Sequence, residues 1–368
     1  MRCDFNVPIK GGKVLDDFKI LKTLPTIEYL LKEGAKIILL SHLGRPEGKV
    51  VKSLSLMPVK NHLEKLLKRN IKLYNLNKLS SLKIEEKISI LENTRFSPDE
   101  KNNTGDFAKE LAGLADIYVV ECFATAHRPS ASIVGIAKYI PTYAGLSLEQ
   151  EVRGLEKAIK SPKRPLVVVL GGIKMETKIP VVKNLLSKAS CILVGGGIVN
   201  TYLYAKGYFV GDSVFDQNFK KEILKYGNKK KVIMPIDLVV GTKDGKKHEV
   251  VKIDKELRLK RGWAILDIGP DTIRLYAKYI KKAKTIIWNG AMGYFEQHPY
   301  EYGTYSIAHL VASRSTGKAY GVCGGGETLE VLKKLKLLND INLVSTGGGA
   351  MLDFLAGKKL PGVKIISK

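Results

Sequence analysis

The sequence predicts an α/β protein built from two doubly wound, parallel-sheet (Rossmann-like) domains that are joined by a helix and separated by a cleft. Three observations lead to this fold class. Short β-branched apolar runs alternate with helix-like or loop segments, which is typical of βαβ units. The runs are too numerous for one small domain, and four of those in the second half end in glycines. All the apolar runs together cover residues 36–40, 88–91, 117–120, 166–170, 191–194, 232–234, 285–288, 320–323 and 343–344.

The segment 147–160 is the predicted junction between the two domains. Its apolar residues Leu148, Val152, Leu155 and Ala158 recur at helical spacing, and a proline-containing turn follows them. The chain of 368 residues is long enough for two domains. We therefore expect an N-terminal domain over 1–146, an interdomain helix over 147–160 and a C-terminal domain over 161–350. The segment 351–368 is expected to return to the N-terminal domain.

Composition narrows the class of protein. No apolar run approaches the roughly 20 residues that span a bilayer, and the first residues lack the apolar core of a signal peptide. A cytoplasmic protein without membrane partners is expected. The four cysteines are far apart, which favours buried thiols over a zinc site or disulfides. The net charge of +25 comes from lysines spread along the chain, which indicates a solvated surface and no nucleic-acid partner.

Glycine clusters follow four apolar runs, at residues 171–172, 195–197, 324–326 and 347–349. Bare backbone can approach a ligand closely and direct its N–H groups at anionic oxygens. Parallel strands gather their carboxyl ends at one edge of a sheet, where α/β folds bind ligands. The clusters therefore predict a phosphate or nucleotide site. Neither a GxxxxGK[ST] loop nor a GxGxxG after a strand is present, so the phosphate is expected to be held in another way.

Arginines follow apolar runs of the first half, at Arg45, Arg95 and Arg128. Arginine is a minority among the basic residues of this chain, and its planar fork suits bidentate binding of carboxylate and phosphate. The three together predict an anion-binding site in the first half.

Ordered motifs give the chain a resemblance to the phosphoglycerate kinase family from Arg2 to about Val363. The residues that carry it are DFNVP (4–8), LPTI (24–27), SHLGRP (41–46), LENTRF (91–96), TAHR (125–128), DIGP (267–270), WNG (288–290) and STGGGA (345–350). The resemblance implies that 3-phosphoglycerate binds to the N-terminal domain and the nucleotide to the C-terminal domain. It also implies reversible, Mg²⁺-dependent phosphoryl transfer between 1,3-bisphosphoglycerate and ADP, by direct in-line transfer after domain closure. A monomer is expected.

The resemblance also assigns expected roles to individual residues. Positions that bind the glycerate or its phosphate are matched by Asp4, Asn6, Lys19, His42, Arg45, Arg95 and Arg128. Nucleotide-site positions are matched by Gly172, Lys174, Lys178, Gly196, Gly269, Asn289, Glu296, Gly325, Gly326, Glu327 and Thr328. Catalytic roles are expected for Lys19, Lys174, Lys178, Gly325 and Gly348, and Glu327 is expected to hold Mg²⁺.

Several residues depart from the family pattern. Lys19 stands where the family carries an arginine, and Glu327 replaces the aspartate of GGGDT. Ala291 replaces the proline of WNGPMG, which is expected to loosen that loop, and the run 120–124 alters NDAFG. Family chains also carry a segment before Arg2, so the first residues here are expected to fray. These departures leave an alternative open, a catalytically impaired, kinase-like nucleotide-binding protein.

Overall fold

The computed structural model describes residues 1–77 and 79–366. The chain forms two compact units, which consist of Met1–Val152 with Lys359–Lys368 (unit 1) and of Arg153–Lys358 (unit 2). Both units are α/β and contain parallel sheets, so the predicted fold class is confirmed. Within the described part of the chain, no helix combines the length and apolar character needed to cross a membrane.

Unit 1 contains seven short strands in its described residues. They are β1 (Ile9–Lys10), β2 (Lys13–Val14), β3 (Ile37–Leu39), β4 (Lys72–Tyr74), β5 (Ile88–Leu91), β6 (Tyr118–Val120) and β7 (Thr142–Ala144). The strands β3, β5 and β4 form a parallel sheet in that order, and β6 pairs with β7, also in parallel. An antiparallel hairpin joins β1 to β2. Its turn, Gly11-Gly12, has φ of 56° and 72°, the left-handed region that favours glycine.

Helices cover the connections of unit 1: α1 (Phe18–Lys32), α2 (Met57–Leu67), α3 (Asp99–Asn102), α4 (Gly105–Ala112) and α5 (Leu146–Ile159). The helix α5 corresponds to the predicted helix 147–160, and Leu148, Leu155 and Ala158 are buried as its apolar spacing requires. The division between the two units falls within α5, between Val152 and Arg153.

The first three residues connect the two parallel sheets of unit 1. Arg2 forms parallel bridges to Leu40 beside β3 and to Val120 of β6. Its backbone N–H donates to the Val119 carbonyl (2.8 Å), and its carbonyl accepts from the Glu121 N–H (2.9 Å). Met1 to Phe5 are all buried. The expectation that this terminus frays is wrong, because backbone hydrogen bonds on both sides hold it.

Unit 2 is built on a six-stranded parallel sheet with the order β10-β9-β8-β14-β15-β16. The strands are β8 (Leu166–Leu170), β9 (Cys191–Val194), β10 (Val232–Ile233), β14 (Thr285–Asn289), β15 (Tyr320–Gly324) and β16 (Leu343–Ser345). They lie where the apolar runs predict them. The order reverses at β8 and β14, and the crevice at such a reversal is the usual ligand site of an open α/β sheet.

A second sheet in unit 2 was not predicted. It is antiparallel, has the order β12-β11-β13, and consists of β11 (Asp237–Gly241), β12 (His248–Lys252) and β13 (Ala264–Ile268). The residues of β12 are mostly exposed, and Asp267 interrupts the apolar run of β13. The apolar periodicity that marks buried parallel strands is therefore missing here.

The helices of unit 2 are α6 (Met175–Leu185), α7 (Gly197–Ala205), α8 (Lys220–Gly227), α9 (Pro270–Lys282), α10 (Tyr302–Ser315), α11 (Gly326–Lys334) and α12 (Gly349–Leu355). After them, α13 (Pro361–Lys364) belongs to unit 1. Three helices begin within glycine clusters directly after a strand, since α7 follows β9, α11 follows β15 and α12 follows β16.

Candidate functional site

Acidic and amide groups near the N-terminus of unit 1 hold the ammonium group of Lys19. The Lys19 Nζ donates to Asp4 Oδ2 at 2.8 Å and lies 3.4 Å from the carbonyl oxygen of Asn6. The Asn6 Oδ1 accepts from the Gly44 N–H (2.9 Å), which ties this segment to the loop after β3. Asp4 is buried, whereas Asn6 is exposed and Lys19 is half-buried. The structure therefore brings Asp4, Asn6 and Lys19 together.

His42 lies in the loop after β3 and is buried. Its Nδ1 is 3.1 Å from a terminal guanidinium nitrogen of the buried Arg2. Burial lowers the pKa of His42 well below its ordinary value, and the positive charges of Arg2, Arg95, Arg128 and Lys19 lower it further. The imidazole is therefore neutral at physiological pH.

The three predicted arginines form a cluster of like charge at the ends of β3, β5 and β6. Arg95 is half-buried and donates from Nη1 to the Gly44 carbonyl (2.6 Å), while Arg45 and Arg128 are exposed. Burial lowers the pKa of Arg95 to about 10, and the charge of Arg128 contributes to this. Partial burial of its guanidinium also lowers the pKa of Arg128, with the charge of Arg45 as the next cause. Cations that repel one another in this way favour a bound polyanion.

Unit 2 contains a cavity of about 390 Å³ at the carboxyl ends of β8 and β9. One wall is formed by residues of the antiparallel sheet, from Leu238 and from Ala264 to Ile268, and another by the segment 291–296. Gly172, Gly196, Glu296 and Glu327, all predicted nucleotide-site residues, also line it. The walls are mainly apolar with a few polar groups, as is typical of sites for flat organic ligands.

Lys178 of α6 is a buried cation beside the end of β14. Its Nζ donates to the side-chain oxygen of Asn289 and is 3.4 Å from the Asn289 carbonyl. Asn289 in turn donates from Nδ2 to the Gly324 carbonyl (2.7 Å). Burial lowers the pKa of Lys178 to about 8, and the carboxylate of Glu327 opposes this. Lys174, directly before α6, is exposed.

Glu327 and Ala291, two residues that depart from the family motifs, contact each other. The Ala291 N–H donates to Glu327 Oε2 at 3.1 Å. Proline at position 291 could not make this bond, because it has no N–H. Ala291 is buried and hydrogen-bonded, and a looser loop stays a prediction. The Glu327 carboxylate also lies over Gly172, where a Cβ would be 3.1 Å from Oε2.

The first turns of α11 and α12 offer bare backbone. Gly325 precedes α11 with φ of 101°, and Gly348 precedes α12 with φ of 49°, so both lie in the region that favours glycine. A Cβ on Gly326 or Gly348 would meet no atom within 4 Å. These helix starts therefore leave room beside N–H groups, the arrangement that binds phosphate.

Other predicted residues occupy less open positions. The Thr328 side chain is buried and accepts from the Gly290 N–H (2.8 Å), so it supports the loop after β14. Gly269 is buried against Asp237. It does not line the cavity, although the preceding residue, Ile268, does. Glu296 is exposed at the cavity, and partial burial of its carboxyl group raises its pKa.

Sequence reasoning missed several buried polar groups of unit 1. No role was predicted for Arg2, and Glu100, Ser132 and Glu121 were not singled out as buried polar groups. All four are buried. No local pattern marks such residues, because their partners lie as far as 130 positions away in the chain.

Comparisons with known proteins agree with these observations. The family model described as "Phosphoglycerate kinase" matches residues 1–358. The phosphoglycerate kinase of Moorella thermoacetica is 41% identical over 383 residues, covering 100% of this chain and 95% of that protein. That of Thermosipho africanus is 43% identical over 378 residues, covering 100% and 94%. The solved structure of phosphoglycerate kinase from Coxiella burnetii superimposes with a TM-score of 0.88 at 40% identity, covering 100% of this chain and 95% of that one. The Pyrococcus horikoshii enzyme gives 0.84 at 31%, with the same coverage.

Proposed function

The chain belongs to the phosphoglycerate kinase family of phosphotransferases, and we propose that the residue clusters of its two units perform that reaction. The reaction transfers a phosphoryl group reversibly between 1,3-bisphosphoglycerate and ADP. The observation that carries the assignment is identity of about 40% along the whole chain to enzymes of this name. The comparisons give no support to the alternative of an impaired kinase.

Unit 1 is the proposed site for 3-phosphoglycerate. The mutually repelling guanidinium groups of Arg45, Arg95 and Arg128 supply charge and paired donors for its phosphate. Asp4, Asn6 and His42 supply acceptors and donors for the carboxylate and hydroxyl end. A ligand with two anionic groups would relieve the repulsion among the arginines, so this cluster favours it over a neutral sugar.

Unit 2 is the proposed site for the nucleotide. The cavity beside β8 and β9 would take the adenosine moiety, with Glu296 near the ribose hydroxyls. Phosphates would lie against Lys174, Lys178 and the helix starts at Gly325 and Gly348. Asn289, Gly196 and Gly269 would shape the site through the loops that carry them.

The donor set fits a nucleotide-bound Mg²⁺. Among the described residues there is no cluster of three or more metal-ligating side chains. This agrees with the habit of Mg²⁺, which binds to one or two carboxylates, water and substrate phosphates. Glu327 is the carboxylate at the cavity beside the start of α11, and we propose it as the protein ligand. When bound, the ion neutralises charge on the phosphates.

The remaining chemistry needs positioning more than covalent participation. An acyl phosphate is already a reactive donor, so in-line alignment and charge neutralisation are sufficient. Lys178 is held by Asn289 in a buried environment, where its charge acts with little screening. Lys19 is held by Asp4 and supplies the positive charge for which the family uses arginine.

A coupled assay of ATP formation from 1,3-bisphosphoglycerate and ADP tests the proposal. We expect robust turnover, a loss of about 10³-fold in Lys178→Met and in Lys19→Ala, and recovery or increase in Lys19→Arg. Matched controls on the same helices, Lys183→Met and Lys32→Ala, replace exposed lysines and should retain full activity. Turnover at background level together with measurable ADP binding would show that the protein binds nucleotide without catalysis.

The localisation, oligomeric state and partners of the enzyme are proposals as well. We propose a cytoplasmic monomer without nucleic-acid partners, on the basis of the family resemblance and the dispersed lysines. Light scattering coupled to size-exclusion chromatography tests the monomer, because a dimer would elute with twice the chain mass of 40.7 kDa.

A further inference from the structure

The side chain of Arg2 is buried in unit 1, with 1% of its surface exposed. Its Nε donates to Ser132 Oγ (2.8 Å), and Nη1 donates to the Cys3 carbonyl. The other terminal nitrogen, Nη2, lies 3.1 Å from Nδ1 of His42. Burial of a guanidinium costs free energy unless its N–H groups are hydrogen-bonded. These three contacts provide acceptors for Arg2 and fix the position of its charge.

The contact with Arg2 determines the tautomer of His42. A guanidinium carries only donors, so the imidazole nitrogen that faces it has to accept. The remaining proton is then on Nε2. Resting on the proposed function, we propose that Arg2 is a positioning residue, which holds His42 as the neutral Nε2–H tautomer so that it donates a hydrogen bond to bound 3-phosphoglycerate.

A buried carboxylate supports Arg2 through a hydroxyl group. Ser132 Oγ, which accepts from Arg2, donates to Glu100 Oε1 at 2.6 Å, and the Ser132 N–H donates to Oε2 at 2.9 Å. Glu100 is 3% exposed and Ser132 is fully buried. The series Glu100, Ser132, Arg2 and His42 is therefore a continuous buried hydrogen-bonded network, in which each bond polarises the next.

The charges around His42 keep it neutral. Arg2 faces it from the N-terminal segment, Lys19 from α1, Arg95 from the turn after β5 and Arg128 from the loop after β6. All are cations, and burial adds to their effect, so the pKa of His42 stays well below its ordinary value. Binding of an anion through a neutral N–H donor then needs no proton uptake, and the contribution of His42 should not change between pH 6 and 8.

Nitrogen NMR of histidine-labelled, ligand-free protein tests the proposal directly. We expect the His42 Nδ1 to resonate as an unprotonated nitrogen and Nε2 as a protonated one from pH 6 to pH 8. In Arg2→Met the fixed tautomer should be lost, and in Arg2→Lys, which keeps a donor, it should be partly restored. His62, whose Nε2 contacts Asp17 at 3.0 Å, serves as an internal reference that these variants leave unchanged. A wild-type spectrum with the proton on Nδ1, or an unchanged tautomer in Arg2→Met, would overturn the proposal.

A second variant and a binding measurement complete the test. Arg2→Met with Glu100→Gln removes both buried charges, so it provides the readout if Arg2→Met alone does not fold. Calorimetric binding of 3-phosphoglycerate should weaken about tenfold in the folded variant, in line with the loss of one hydrogen bond to an anion. A purely structural role would lower the melting temperature and leave the tautomer unchanged. If the wild type has the expected tautomer but does not bind 3-phosphoglycerate, the proposed function of unit 1 fails, and so does the role of Arg2 in ligand binding.

Discussion

Replacement of Glu121 by glutamine should alter the pH dependence of stability in unit 1. Glu121 is 4% exposed, and its Oε1 accepts from Thr26 Oγ1 of α1 (2.7 Å) and from the Ser147 N–H at the start of α5 (3.1 Å). Its Oε2 is also buried. Burial raises the pKa of this carboxyl to about 7, against an ordinary value of 4.5, although its hydrogen bonds oppose the change.

The magnitude follows from linkage. Between pH 4.5 and about 7 the folded protein holds a proton at Glu121 that the unfolded chain has lost. The free energy of unfolding therefore falls as pH rises through this window and levels off above it. At about 1.4 kcal/mol for each pH unit, the total is about 3 kcal/mol. Glu121→Gln removes this contribution. We expect the variant to be about 1–3 kcal/mol more stable than wild type at pH 8 and within about 1 kcal/mol of it at pH 5.

Amide hydrogen exchange, corrected for the intrinsic effect of pH, measures this difference in peptides that cover the end of α1 and the start of α5. Local exchange is preferable to a single melting temperature, because a chain with two compact units need not unfold in one step. Glu28→Gln, an exposed change on α1, is the control. Parallel stability curves for wild type and Glu121→Gln between pH 5 and 8 would refute the reasoning.

Three further predictions concern unit 2. Burial lowers the pKa of Lys178 to about 8, so this side chain loses its positive charge between pH 7 and 9. The Kd for ADP, measured by titration calorimetry, should therefore rise about tenfold over this range, and Lys178→Arg should abolish this pH dependence. Gly325→Ala should destabilise the protein by about 1–3 kcal/mol, since φ is 101° and the added Cβ would lie 2.8 Å from an amide nitrogen. The matched change Gly326→Ala meets no atom within 4 Å and should leave the melting temperature unchanged. Thr328→Val should cost about 1–3 kcal/mol in denaturant unfolding, because the Gly290 N–H loses its acceptor; an unchanged midpoint would contradict this.

The strands of the parallel sheets were predictable because buried strands have a recognisable local sequence pattern. Leu166–Leu170 and Thr285–Asn289 are buried throughout and appear as short runs rich in β-branched and other apolar residues. The glycines after them mark strand ends for the same local reason. The antiparallel sheet was missed because His248–Lys252 is mostly exposed and carries no such run.

The site was predictable only in part, since the motifs identify side chains and not their partners. Lys19 could be recognised as a departure from the family, but its ion pair with Asp4 depends on how α1 packs. The network behind His42 joins Arg2 to Ser132 across 130 positions. Burial of a charge so far from its partners cannot be inferred from composition or periodicity, and it needs the assembled fold.

The contact between Ala291 and Glu327 means that these two departures form one exchangeable unit. Proline at 291 with glutamate at 327 would leave the carboxylate without its N–H donor. With alanine at 291 and aspartate at 327, the shorter side chain would end on the order of 1 Å short of hydrogen-bonding distance to that N–H. Either intermediate lacks a bond that this chain has. A protein that evolved between the two motif versions would therefore have passed through a less well-bonded loop, and grafting residues between relatives should move both positions together.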